Sequence, residues 1–232
     1  MLRLTRQARD IFPGLEIHGI RFSGYGFAAR LIQMDHLRKR VAAAAAEDRE
    51  IVGTWRPVYG KMGLKPSKYL SSVEALTKRA RKGENAWLTG EPSIDLYNAM
   101  SIIHGVPMGG YDLDKIDGRE VTLRRARRET DRYTPVGGRI DMSKGGEDLL
   151  VYAAGHDLLC WGLNHRDSAD FCLEPETSKA LIMSEGTSPE QVTASRSALA
   201  ELTELLIRAG AEAEWSEVTV PGAEQFPEMG GT

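Results

Sequence analysis

The stretch Gly105-Val-Pro-Met-Gly-Gly110 holds three glycines within six residues, and glycine lets a backbone approach a ligand where a Cβ would block it. Backbone N–H groups of Gly109 and Gly110 exposed in this way suit a carboxylate or a developing oxyanion. The same glycines would equally serve to turn the chain from helix to loop. Glu185 lies at the end of the apolar run KALIMSEG, where a carboxylate can face a pocket and hold an ammonium group or orient water. An exposed acid before a turn would look the same in sequence. Asn164-His165-Arg166-Asp167, after a second apolar run, is polar enough to line a cleft or to form a plain loop.

Other reactive residue types carry less. Asp112 and Asp114 could bind a cation, yet two carboxylates without further acidic spacing read better as a solvated turn. His165 with Cys160 and Cys172 would lack a fourth metal ligand and the close ligand pairs of zinc sites. Cys160 sits in an apolar run, whereas a reactive thiolate needs an electropositive, partly exposed setting. No metal or cofactor is expected, and neither GxGxxG nor a phosphate-loop lysine motif occurs. Two basic clusters, Lys78-Arg79-Arg81-Lys82 and Arg124-Arg125-Arg127-Arg128, could meet phosphates or serve as a helix end and a solvated strand edge.

The elements that must position these residues can be traced along the chain. Of its 232 residues 41% are hydrophobic and 27% charged, enough for a sizeable core, and the formal charge of -3 selects no partner. Two cysteines give no disulfide framework, which suits a reducing compartment. The start MLRLTRQARDIFPG is too interrupted by charge for a signal peptide, and no run approaches a membrane span. A soluble cytoplasmic protein is expected.

LEIHGIRFSG alternates as a strand with a bulge at Gly19, and Leu31 to Asp48 reads as helix. Trp55 to Ser72 is broken by glycine and proline into an ordered loop with a short helical turn. A helix then runs from Ser72 toward Gly83, and another from an N-cap at Ser93 to a left-handed stop at Gly105. EVTLRRA, LLVYAA, DLLCWGLN and KALIMSEG read as strands, the middle two joined as a hairpin across Gly155-His156. TSPEQ opens a last helix, with Ser188 as cap and Gln191 completing a capping box, and the chain from Pro221 reads as a frayed tail. Helices first, strands later and a closing helix predict an α+β fold.

The blocks SVEALTKRARKG, IDLYNAMSIIHGVPMGGYDLDKIDG, VTLRRA, YTPVGG, NHRDS and TSKALIMSEG resemble, in that order, the B3/B4 domain of the phenylalanyl-tRNA synthetase beta subunit and the free-standing proteins built around it. The resemblance covers roughly Trp55 to Ala209 and implies a mixed or antiparallel sheet flanked by helices. It divides the chain into an N-terminal strand and helix over 1–54, the B3/B4-like domain over 55–210 and a tail over 211–232. In the synthetase this module hydrolyses tyrosine mischarged onto the phenylalanine tRNA. The implied pocket lies between the loop after DLYNA and the later sheet. Asn98 falls on the family's threonine-asparagine pair, Glu185 on the glutamate that recognises or helps cleave the aminoacyl group, and Met108, Gly137 and Gly138 on the pocket wall. Tyr97 stands where synthetases carry the threonine and Gly109 where they commonly carry histidine, so tyrosine specificity does not carry over. The implied activity is trans-acting deacylation of a mischarged tRNA. The alternatives are a non-catalytic module binding an amino acid or a charged tRNA end, and an enzyme on another small amino-acid derivative. Partners would be an aminoacylated tRNA 3′ end, held in part by Arg124, Arg125, Arg127 and Arg128, or a small amino-acid ligand, with no membrane involved.

Overall fold

A computed structural model of the chain describes residues 1–47, 50–216 and 218–220, the side chain of Ile51 excepted. The chain opens with β1 (Leu2–Leu4), α1 (Arg6–Ile11), β2 (Glu16–Ser23), α2 (Tyr25–Leu31), α3 (Asp35–Ala46), α4 (Glu50–Gly53), α5 (Trp55–Lys61), α6 (Ser72–Ala80) and α7 (Pro92–His104). Then come β3 (Met108–Asp112), α8 (Leu113–Ile116), β4 (Val121–Arg125), β5 (Leu150–Ala154), β6 (Asp157–Trp161), β7 (Arg166–Asp167), β8 (Lys179–Gly186), α9 (Pro189–Arg208), β9 (Glu212–Trp215) and β10 (Val218–Thr219). The fold is α+β, as the order of elements predicts.

Two sheets form. One has the order β10-β1-β4-β5-β6-β7, with β1 parallel to both its neighbours and the other pairs antiparallel. The second, β3-β8-β2-β9, is antiparallel throughout. Strand β8 lies inside the second sheet and is buried on both faces. Leu181 and Met183 pack toward the first sheet, while Ala180 and Ile182 pack toward α7 and α9. This period-two alternation sends Glu185, two residues past Met183, between the sheets.

Local signals explain most helices. Ser71 caps α6, accepting from the Glu74 N–H at 3.3 Å. Helix α7 begins one residue before the expected Ser93 cap, with Pro92 in its first turn and Glu91 as cap, and Gly105 stops it at φ 74°. Ser188 caps α9, and Gln191 Oε1 reaches back to the Thr187 N–H at 2.7 Å.

Several expectations are corrected. Gly19 is not a bulge: β2 pairs with β8 without a break from Glu16 to Ser23, and the glycine is needed because a Cβ there would lie 2.6 Å from Leu2 Cδ1. The register shift falls instead between Tyr152 and Ala153 of β5. Leu31 ends α2, and a separate α3 starts at Asp35; the expected end of that helix at Asp48 lies outside the described residues. Trp55 to Lys61 is helical, since Pro57 occupies the first turn, where its missing N–H costs nothing. Gly109 and Gly110 are strand residues of β3, paired with Met183 and Ile182. Asp112 is buried rather than solvated, accepting from the Asp114 N–H at 2.9 Å and the Thr177 hydroxyl at 2.6 Å. Beyond α9, residues 212–215 form an edge strand on β2; the tail from Pro221 lies outside the described residues.

Candidate functional site

A cavity of about 460 Å³ opens between the two sheets, α6 and α7. Helix α6 presents Ser72, Ala75, Leu76 and Arg79, and α7 presents Ile94, Tyr97 and Asn98, each set spaced as one helical face. Gly109 and Tyr111 of β3 face it, as do Tyr152 of β5 and Glu185 of β8. The whole Asn164-His165-Arg166-Asp167 stretch also lines it, which resolves that stretch in favour of the cleft.

Glu185 is 3% exposed. Its Oε1 accepts from Asn164 Nδ2 at 2.7 Å and its Oε2 from the Tyr152 hydroxyl at 2.9 Å. Asn164 is itself oriented, because its Oδ1 accepts from the Tyr59 hydroxyl at 2.8 Å. Burial pushes the Glu185 carboxyl up to about 7; the Asn164 and Tyr152 hydrogen bonds oppose the rise and the nearby Asp167 adds to it. A carboxyl balanced near neutrality can exchange a proton with a ligand or with water.

Asp167 is the second carboxyl of the cavity. Its Oδ1 accepts from the Tyr111 hydroxyl at 2.8 Å, and burial raises it above its ordinary value against the hydrogen bonds from Tyr111 and Cys160. Burial likewise keeps the phenols of Tyr97, Tyr111 and Tyr152 protonated, so each is a donor. His165 is held in one tautomer: its Nδ1 lies 2.7 Å from the Leu70 carbonyl, which can only accept, so Nε2 is left as an acceptor. Tyr59, Tyr69 and Trp161 pack edge-on around the ring, and burial lowers its proton affinity.

Of the residues singled out in the sequence, Glu185, Gly109, Tyr97, Asn98, Met108 and Gly137 meet at this cavity, whereas Gly110 and Gly138 do not line it. Gly110 faces the helices, where a Cβ would stand 2.7 Å from Tyr97 Cε1. The four arginines lie elsewhere. Arg124 is 5% exposed, pairs with Asp131 at 2.6 Å and donates to the Gly155 carbonyl at 2.9 Å, leaving no surface for a phosphate to reach. Arg125 pairs with Asp148, while Arg127 and Arg128 border a separate cavity of about 610 Å³. Tyr111 and Tyr152 were not signalled in the sequence, since a tyrosine in an apolar strand reads as core. A larger cavity of about 630 Å³ between α3 and α6 is lined by Lys78 and Arg81 of the first basic cluster but by no other candidate, and its buried carboxylate Glu74 is already paired with Arg56 and Lys78. Among the described residues no group of three His, Cys, Asp or Glu side chains is placed to hold a metal ion, and no helix is long and apolar enough to cross a membrane.

No curated protein matches the sequence. Among solved structures, the chain is similar to an N-terminal fragment of the phenylalanyl-tRNA synthetase beta-subunit from Pyrococcus horikoshii, at 14% identity and a TM-score of 0.48. The match covers 95% of this chain and 52% of that one, so the chain spans about half the fragment's length. The family model described as B3/4 domain matches residues 54–214, which takes in α5 to α9 and every wall of the cavity. With more than half of its length matched, the chain belongs to the B3/4 domain family.

Proposed function

We propose that this chain hydrolyses the ester between an amino acid and the 3′ end of a tRNA charged elsewhere. The observation that carries the reading is Glu185: a buried carboxyl, fixed at both oxygens and balanced near neutral pH, facing a cavity of the size that small ligands occupy. Ionised Glu185 takes a proton from a water, and the oxygen of that water adds to the ester carbonyl. The carbon–oxygen bond to the ribose then breaks, and the proton held by Glu185 passes to the ribose oxygen. The Asn98 amide, which has no hydrogen-bond partner among the described residues, supports the aminoacyl group. Gly109 leaves room for the Tyr111 hydroxyl, which stands 2.8 Å from where a Cβ would lie, and that protonated phenol is a donor for the ester carbonyl. The ester is already activated, so positioning and a proton acceptor suffice. Residues 55–210 are the working unit, and free Cys160 and Cys172 suit the cytoplasm.

A second reading, a module that binds an amino acid or a charged tRNA end without cleaving it, is favoured by one feature: both Glu185 oxygens already have donors. One experiment separates the two. Purified protein is incubated with a panel of correctly and incorrectly charged tRNAs, and amino acid release is measured above the spontaneous rate, with Glu185→Gln as control. Release from one species, lost in the variant, is expected. Ligand-induced thermal stabilisation without release would establish the binding module instead.

A further inference from the structure

The basic residues near the end of α6 have different employments. Lys78 Nζ lies 2.9 Å from Glu74, and Arg81 donates to the Ala45 and Glu47 carbonyls at the C-terminal end of α3, at 2.7 and 2.8 Å. Arg79 instead lines the 460 Å³ cavity, exposed, and among the described residues its guanidinium has no carboxylate partner. Arg166 of β7 lines the same cavity, half-buried and likewise without a carboxylate. Ser72 shares the cavity-facing side of α6 with Arg79, and its hydroxyl is buried there with no hydrogen-bond partner. The cavity thus holds two buried carboxyls, Glu185 and Asp167, and two arginines, Arg79 exposed and Arg166 half-buried.

We propose that Arg79, Arg166 and Ser72 form an anion site that takes a phosphate of a nucleotide ligand at the cavity mouth. Two guanidinium forks and a hydroxyl supply more donors than a carboxylate accepts comfortably, and they match the several oxygens of a phosphate. Calling the rest of the ligand an aminoacylated nucleotide rests on the proposed function, but the phosphate contact does not. This site, rather than Arg124 to Arg128, then carries the salt dependence of binding.

The test is calorimetric titration with 5′-AMP and with adenosine at low salt, for the wild type and for the double variant Arg79→Gln/Arg166→Gln. AMP is expected to bind at least about tenfold more tightly than adenosine, since each charge-assisted contact is worth about that factor. The gap should close in the double variant and shrink as salt rises. Equal binding of AMP and adenosine, a gap that survives in the variant, or no AMP binding at millimolar concentration would overturn the proposal. The charged-tRNA assay reads separately: AMP preference without amino acid release keeps the phosphate site and removes the hydrolytic reading.

Discussion

Glu185→Gln tests the electrostatics of the site directly. The carboxyl rises from an ordinary 4.5 to about 7 on folding, through burial against the opposing bonds from Asn164 and Tyr152. Between those values the folded chain keeps a proton that the unfolded chain has lost, so folding weakens as pH rises. The contribution is fully present below pH 4.5 and gone above about 7. At about 1.4 kcal/mol for each pH unit between the two values, the limiting loss is about 3.5 kcal/mol, of which about 3 kcal/mol falls between pH 4.5 and 8. For a chain of this size that is about 6–12 °C in Tm. Glutamine cannot titrate. Its carbonyl still accepts from Asn164, but its amide meets the Tyr152 hydroxyl as a donor, which adds a pH-independent offset of about 1 kcal/mol. Asp167, raised in the same direction, titrates in both proteins, and because it also acts on Glu185 the difference between them reports Glu185 together with that coupling. Urea unfolding of both proteins from pH 4.5 to 8 should show the wild type losing about 3 kcal/mol relative to the variant. Parallel curves, or a wild type that gains on the variant as pH rises, would refute the reasoning.

Arg124→Ala should cost about 3–5 kcal/mol, because it leaves Asp131, whose side chain is 0% exposed, as an unpaired buried charge. Urea midpoints measure this, and a stable variant with weakened nucleotide binding would show that Arg124 serves the ligand instead. Gly110→Ala places a Cβ 2.7 Å from Tyr97 Cε1, 2.9 Å from Leu173 Cδ1 and 3.0 Å from Ile182 Cδ1. It should cost about 1–3 kcal/mol and press the Tyr97 ring toward the cavity; unchanged stability together with unchanged ligand affinity would contradict that packing.

The helices that shape the cavity were legible because their ends carry their own chemistry. Gly105 stops α7, Ser188 caps α9 and α6 starts at Ser72 in the predicted places, while the cap of α7 moves from Ser93 to Glu91. The strands β4, β5, β6 and β8 were legible from apolar runs, and Glu185 and the Asn164 to Asp167 stretch from their place at strand ends. Local signals failed where the deciding contact is distant in sequence. Gly19 looks like a bulge until Leu2 is known to lie over it, and Gly109-Gly110 looks like a turn until β8 is known to pair with it. Tyr152 and Tyr111 have core spacing, and only the fold shows their hydroxyls meeting Glu185 and Asp167. The arginines of β4 illustrate the opposite error: a conspicuous cluster whose first member is spent on an ion pair inside the protein.

Strand β8 is bordered by β2 from the start of the chain and β3 from its middle, and among the described residues it is followed by α9 and two short strands. Such pairings close long loops, which slows folding and places their formation late. On a ribosome, β2 waits with its apolar face uncovered until nearly the whole domain has emerged, a window in which association with other chains or with chaperones competes with the native partner. Glu185 arrives with that last central strand, so no earlier fragment of the chain holds the acid in its pocket. Assembly of the Glu185 cavity during synthesis would thus report the docking of β8 between β2 and β3.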